Sequence, residues 1–188
     1  MSTVPEQSAS LGAFLAVTVG VAVLARREGL GWKDVGFSGT NAWSVPMALA
    51  LSVLLIWGYG PLALWIVRAT EPRGLVAAVA KLQQLPRWYL LLSIVLVASA
   101  EEWLYRGYAI DRLIALTGRS WLAGLISVTA FAAAHLPLWG LGLSLASLLT
   151  AALFTGLYLW RRDVVLLIVA HVFTDAYGLV CAPSGSFG

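Results

Sequence analysis

The chain has 188 residues, of which 60% are hydrophobic and 11% charged, and its mean hydropathy is +0.86. A soluble domain carries about a quarter charged residues, so the bilayer rather than water is the natural solvent. The formal charge is +3, but the 12 Lys and Arg form no basic stripe with interleaved aromatics and mostly flank apolar segments; this excludes a nucleic-acid partner and marks them as topology signals and headgroup anchors.

The first uncharged stretch runs from about residue 7 to 25 and is closed by Arg26 and Arg27. The chain start has no basic n-region, so this stretch reads as a retained span rather than a cleaved signal peptide. Residues 28–41 are polar and Gly-containing, a loop. A second apolar stretch covers 42–67, with Trp43 and Trp65 near its ends as belt indoles. Pro61, with Gly58 and Gly60, is placed to kink or locally unwind it. The segment 68–87 is the most polar internal stretch, and within it 75–85 has weak helical patterning suited to the membrane surface. Trp88 opens a third span that continues to about Ile110, with Asp111, Arg112 and Arg119 marking the next loop. The forty or so residues to Trp160 are too long for one span. Pro137 and Gly140 supply a break, giving spans of about 121–136 and 141–160. Arg161, Arg162 and Asp163 form a tight connector, and the sixth span covers about 164–180. Small residues four apart (Gly142 with Ala146, Ala152 with Gly156) suit close helix packing. The expected fold is all-α: one polytopic transmembrane domain over 1–188 with about six spans and no internal repeat. The single Cys181 leaves the redox compartment undetermined.

Positive charge orients the bundle. Loops 26–41, 111–120 and 161–163 alternate onto one side and are basic, which places them in the cytoplasm and both termini outside, in the inner cell membrane. Loop 68–87 holds Arg68, Arg73, Lys81 and Arg87 yet falls outside, against the rule.

Of nine acidic residues, six (Glu6, Glu28, Asp34, Glu71, Asp111 and Asp163) lie in loops or at span ends. Glu101, Glu102 and Asp175 lie inside apolar spans. Arg106 and both histidines, His135 and His171, are also inside spans or at their edge. Each such group costs at least ~2.5 kcal/mol at bilayer depth, a penalty that implies a purpose. Glu102 and Arg106 share a helix face at i, i+4, as do Phe131 and His135, and His171 and Asp175. At 1.5 Å per residue, Glu101 and His171 fall roughly 14–16 Å from the cytoplasmic ends of their spans and His135 roughly 20 Å or more from its own. One polar site at mid-membrane depth satisfies all three.

The strings Glu101-Glu102-Trp103-Leu104-Tyr105-Arg106, Phe131-Ala132-Ala133-Ala134-His135 and His171-Val172-Phe173-Thr174-Asp175 resemble, in order and placement, the three motifs of the CPBP family. That family comprises CAAX proteases and bacteriocin-processing (Abi-type) enzymes, and its motifs read EExxxR, FxxxH and HxxxN or HxxxD. Residues 28–37 resemble a loop often found ahead of that core, which covers about 88–180. The resemblance implies an intramembrane endopeptidase.

Peptide hydrolysis needs a water, a base and donors for the oxyanion. Glu101 is the best base, since a desolvated carboxylate works well near neutral pH. His135 can hold and polarise the same water, and His171 and Asp175 can stabilise the oxyanion; the family resemblance implies the same roles. Asp175 stands where the pattern more often has Asn. It donates only when protonated, a state burial favours. Glu102 and Arg106 read equally as a supporting pair and as a purely structural one, and Phe131 as packing that shapes the pocket. Tyr105, Tyr108 and Trp103 read as lipid-facing or packing residues. No cofactor is expected. The alternative is zinc held by Glu101, His135, His171 and Asp175, a plausible ligand set that lacks the paired i, i+4 histidines of H-E-x-x-H sites. No G-x-S-x-G occurs either.

Two other classes remain: an immunity-like or scaffold membrane protein without activity, and an ion-coupled transporter. The small size and lack of an inverted repeat weigh against a transporter. The partners implied are the lipid bilayer and a membrane-anchored or hydrophobic-tailed protein or peptide. Prenylated tails, leader peptides and C-terminal sorting tails all fit.

Overall fold

The computed structural model describes residues 4–70 and 79–181. Among them, helices stand at all six expected places: α1 is Val4–Arg27, α2 Ser44–Thr70, α3 Arg87–Thr117, α4 Ser120–Pro137, α5 Trp139–Arg161 and α6 Val164–Val180. Helices α2 to α5 are each long and apolar enough to cross a membrane, and α6 is apolar but shorter. The 24 residues of α1 extend about 36 Å at 1.5 Å per residue, more than the roughly 30 Å hydrocarbon core. The chain is a multi-pass helical membrane protein.

Its distribution of side chains fits lipid rather than water. Val17, Leu49, Leu92, Leu125, Leu145, Leu149 and Phe173 face outward, while Glu102 and Arg106 are 0% exposed in the interior. Five exposed indoles lie at the two ends of the bundle, while Trp57 is exposed midway along α2. Trp43, Trp121 and Trp160 are exposed at one end, and Trp65 and Trp88 at the other, as expected of residues in the headgroup zone.

Helix α2 packs its first half on α6 and its second half on α5, while α1 and α6 flank α3. The α2–α5 contact uses one small-residue pair as expected. A Cβ on Gly142 would lie 3.2 Å from Val67 Cα, and the Tyr59 hydroxyl donates to the Ala146 carbonyl at 2.6 Å. The second pair does not pack in this way. Ala152 and Gly156 are exposed, because the crossing of α4 on α5 is made one face round, with Gly124 against Thr155 and Leu159.

Other expectations shift. Helix α3 does not end at Ile110 but runs through Asp111 and Arg112 to Thr117, where Gly118 caps it at φ 67. The non-helical residue at this break is Gly140, one residue inside α5, where φ is 75 and ψ −179, whereas Pro137, the last residue of α4, keeps helical geometry. Only glycine reaches that conformation at little cost. In α2 the irregularity lies just before Pro61: Leu54–Tyr59 is a π-turn, and Gly60 N–H reaches back to the Leu55 carbonyl. The expected surface helix at 75–85 lies partly outside the described residues; 79–82 are helical.

The three loops assigned to one side do meet. Gly39 N–H donates to the Arg162 carbonyl at 2.8 Å and Val164 N–H to the Gly36 carbonyl at 2.9 Å. Arg162 pairs with Asp111, and Arg112 with Glu28 at 3.6 Å. Asp163, expected as a loop acid in the tight connector, is 1% exposed. It caps α6 by accepting from Leu166 N–H at 3.1 Å. It also accepts from the Ser44 hydroxyl at 2.6 Å and the Thr40 hydroxyl at 3.1 Å, so a buried carboxylate has its oxygens served.

Candidate active site

Three helices bring the polar residues together. Helix α3 is α-helical to Glu102 and then widens into a π-helical stretch, Trp103–Ile110, a distortion that recurs at functional sites. Loop 28–41 seats on this stretch. At Gly36, where φ is 100, an added Cβ would lie 2.8 Å from Gly107 Cα, and one on Gly107 would lie 2.5 Å from the Val35 carbonyl oxygen. The loop backbone therefore lies against the residue after Arg106, an approach only two glycines permit. On the other side, the Ser127 hydroxyl of α4 donates to the Tyr105 carbonyl at 2.8 Å.

Glu102 sits at the centre. Its Oε1 accepts from Arg106 Nη1 at 3.0 Å and from His171 Nδ1 of α6 at 2.9 Å. The Arg106 pair follows from the i, i+4 spacing. The His171 bond joins residues 69 apart in sequence, and no local signal announces it. It fixes the imidazole: with Nδ1–H held by Glu102, Nε2 faces the other two acids. Nε2 lies 4.0 Å from Glu101 Oε2 and 3.5 Å from Asp175 Oδ2. Neither is a short hydrogen bond, and a water can bridge either gap. Glu101 and His171 side chains are 17% and 16% exposed, whereas Asp175 is 44% exposed, so the site opens on the Asp175 side.

His135 presents its other nitrogen likewise. Its Nδ1 is 2.8 Å from the Phe131 carbonyl one turn earlier. Nδ1–H is the donor there, because a carbonyl only accepts, and Nε2 keeps a free lone pair. Phe131 joins His135 to the rest of the site. Phe131 does more than fill space. Its ring lies 4.4 Å from the Arg106 guanidinium carbon, 4.4 Å from the His135 ring centroid and edge-on to Tyr105 at 5.2 Å.

Phe154 of α5 was not legible as a site residue, since it is one apolar residue in an apolar span. It meets His171 edge-on at 6.0 Å and Arg106 at 5.9 Å, so Arg106 is held between two aromatic faces. Tyr105 packs on Phe131 as its packing reading implied, and Tyr108 turns outward to Glu28 at 3.3 Å. All seven residues singled out, Glu101, Glu102, Arg106, Phe131, His135, His171 and Asp175, thus surround one region between α3, α4 and α6. Among the described residues, no group of three or more His, Cys, Asp or Glu side chains converges closely enough to hold a metal ion.

Fold and site together define a multi-pass membrane protein with a polar, partly closed centre between its helices. The family model described as Type II CAAX prenyl endopeptidase Rce1-like matches residues 83–177, half of the chain, and takes in all three motifs. The chain belongs to this Rce1-like family and is a membrane protease of that kind. No curated protein and no solved structure matches it.

Proposed function

We propose that the chain hydrolyses a peptide bond at the membrane by a metal-free, glutamate-activated water. One observation carries the reading: the Glu102–His171 bond at 2.9 Å turns His171 Nε2 toward Glu101 at 4.0 Å and Asp175 at 3.5 Å. A base and an oxyanion donor then flank one small space. Glu101 takes a proton from a water that His135 Nε2 helps to orient. The resulting hydroxide attacks the scissile carbonyl. His171, donating at both nitrogens as only an imidazolium does, and a protonated Asp175 offer hydrogen bonds to the oxyanion. Glu101 returns its proton to the leaving amine as the C–N bond breaks. Glu102 and Arg106 act through His171, holding its ring in register.

The family name supplies the first substrate class to try, a prenylated C-terminal CAAX tail; leader peptides and hydrophobic sorting tails fit the same geometry. The inner cell membrane is the proposed location, with the three meeting loops in the cytoplasm. The test compares termini across the membrane proteome of cells carrying wild-type chain or Glu101→Ala. Uncleaved termini that accumulate only in the variant identify the substrate. Identical termini with a retained phenotype would favour a scaffold or immunity-like role instead.

A further inference from the structure

At the end of the bundle where the three loops meet there is a polar cavity of about 250 Å³, lined by Lys33, Asp34, Ser38, Asp111, Arg112 and Arg162. It lies outside the candidate active site. Its two carboxylates are already engaged. Asp111 accepts from the Tyr158 hydroxyl at 2.9 Å and pairs with Arg162, and Asp34 Oδ2 accepts from Gly31 N–H at 2.9 Å. The cations are not used up. Lys33 is exposed and enters no ion pair among the described residues. Arg112 spends one Nη on Glu28, leaving a buried Nε without a hydrogen-bond partner. Burial pushes the Arg162 guanidinium below its ordinary range, a desolvation that a bound anion offsets.

The surroundings place the cavity at headgroup depth. Trp32, on the same loop as Lys33, is 68% exposed, and Leu116, one helical turn beyond Arg112, is 82% exposed. Trp43, Trp121 and Trp160 mark the same end. A concave set of donors, with an indole and a leucine exposed nearby, suits an anion that carries an apolar body. Free phosphate has no use for those apolar groups.

We propose that this cavity binds the phosphate group of an anionic phospholipid headgroup. Lys33 and Arg112 supply charge-assisted hydrogen bonds to the phosphate oxygens, and Trp32 and Leu116 meet the glycerol and first methylenes. Bound lipid bridges loop 28–41 to α3, the helix on which that loop seats just after Arg106.

The experiment uses the full chain in detergent, melted against short-chain phosphatidylglycerol, short-chain phosphatidylcholine and inorganic phosphate at matched ionic strength. The expected result is saturable stabilisation by phosphatidylglycerol alone. Lys33→Gln should weaken that affinity about tenfold and Lys33→Gln with Arg112→Gln further, each lost charge-assisted bond being of that order. Arg27→Gln, an exposed cation on the same end that does not line the cavity, should leave it unchanged. Should the double variant prove unfolded, the exposed Lys33→Gln change carries the test alone. Equal stabilisation by inorganic phosphate would assign a free-anion site and overturn the headgroup assignment, as would equal stabilisation by phosphatidylcholine. Phosphatidylglycerol affinity untouched by Lys33→Gln, or lowered as much by Arg27→Gln, would overturn the location.

Discussion

Glu102→Gln is the perturbation on which the site geometry makes its sharpest demand. Both ends of the pair are 0% exposed. Arg106 Nε and Nη2 have no hydrogen-bond partner among the described residues, so the charge of Arg106 rests on Glu102 Oε1 and on the rings of Phe131 and Phe154. Removing the carboxylate charge strands a buried cation, which costs about 3–5 kcal/mol. The retained amide oxygen can still accept a hydrogen bond, which puts the change near the lower figure. For a chain of this size about 3 kcal/mol corresponds to a fall of roughly 6–12 °C in melting temperature. Glu101→Gln should instead melt close to wild type while abolishing cleavage, because Glu101 makes no short hydrogen bond to its neighbours and acts on water. The assay is a melt of each purified variant in one detergent, paired with turnover of a reporter peptide. A second change separates charge from shape: Glu102→Gln with Arg106→Met removes the stranded cation and should recover most of the lost stability, since the cost of breaking a buried pair lies in the uncompensated charge left behind. Wild-type melting of Glu102→Gln would refute the reasoning, as would a double variant no more stable than the single. Equal residual activity in Glu101→Gln and Glu102→Gln would remove the distinction between base and positioning residue.

Asp175→Asn should keep much of the activity and lose less of it at high pH, because an amide donates at every pH and a carboxyl only when protonated; a heavy loss at all pH values points to an anionic role. Chelator treatment followed by metal analysis should leave cleavage unchanged, whereas stoichiometric zinc whose removal and return switch cleavage off and on would establish the metal-dependent enzyme. Cysteines placed at Ser8 and Ser186, after Cys181→Ser, should both label from outside in intact cells, and labelling of one alone would mean an odd number of spans. Gly107→Val should release loop 28–41, seen as proteolysis within that loop under conditions that spare the wild type, because the Val35 carbonyl occupies the space a side chain needs.

Hydropathy and charge along the chain determined how many helices form and where most of them lie. Burying an apolar stretch in lipid with its backbone bonded internally is a local requirement, met segment by segment. Motif spacing also placed Arg106 beside Glu102, because four residues return a helix to the same face. Three things lay beyond reach of local pattern. The continuation of α3 past Asp111 depends on Tyr158 and Arg162, which serve that carboxylate from α5 and the connector after it. Asp163 reads as a loop acid until Ser44 and Thr40 arrive from the far side of the chain to bury it. Above all, Glu102 reads as Arg106's partner alone, and only the packing of α6 on α3 gives it His171 as well. A side chain's hydrogen-bond capacity is written in its residue type, but which partner fills it is decided by helices that meet in space after they have formed.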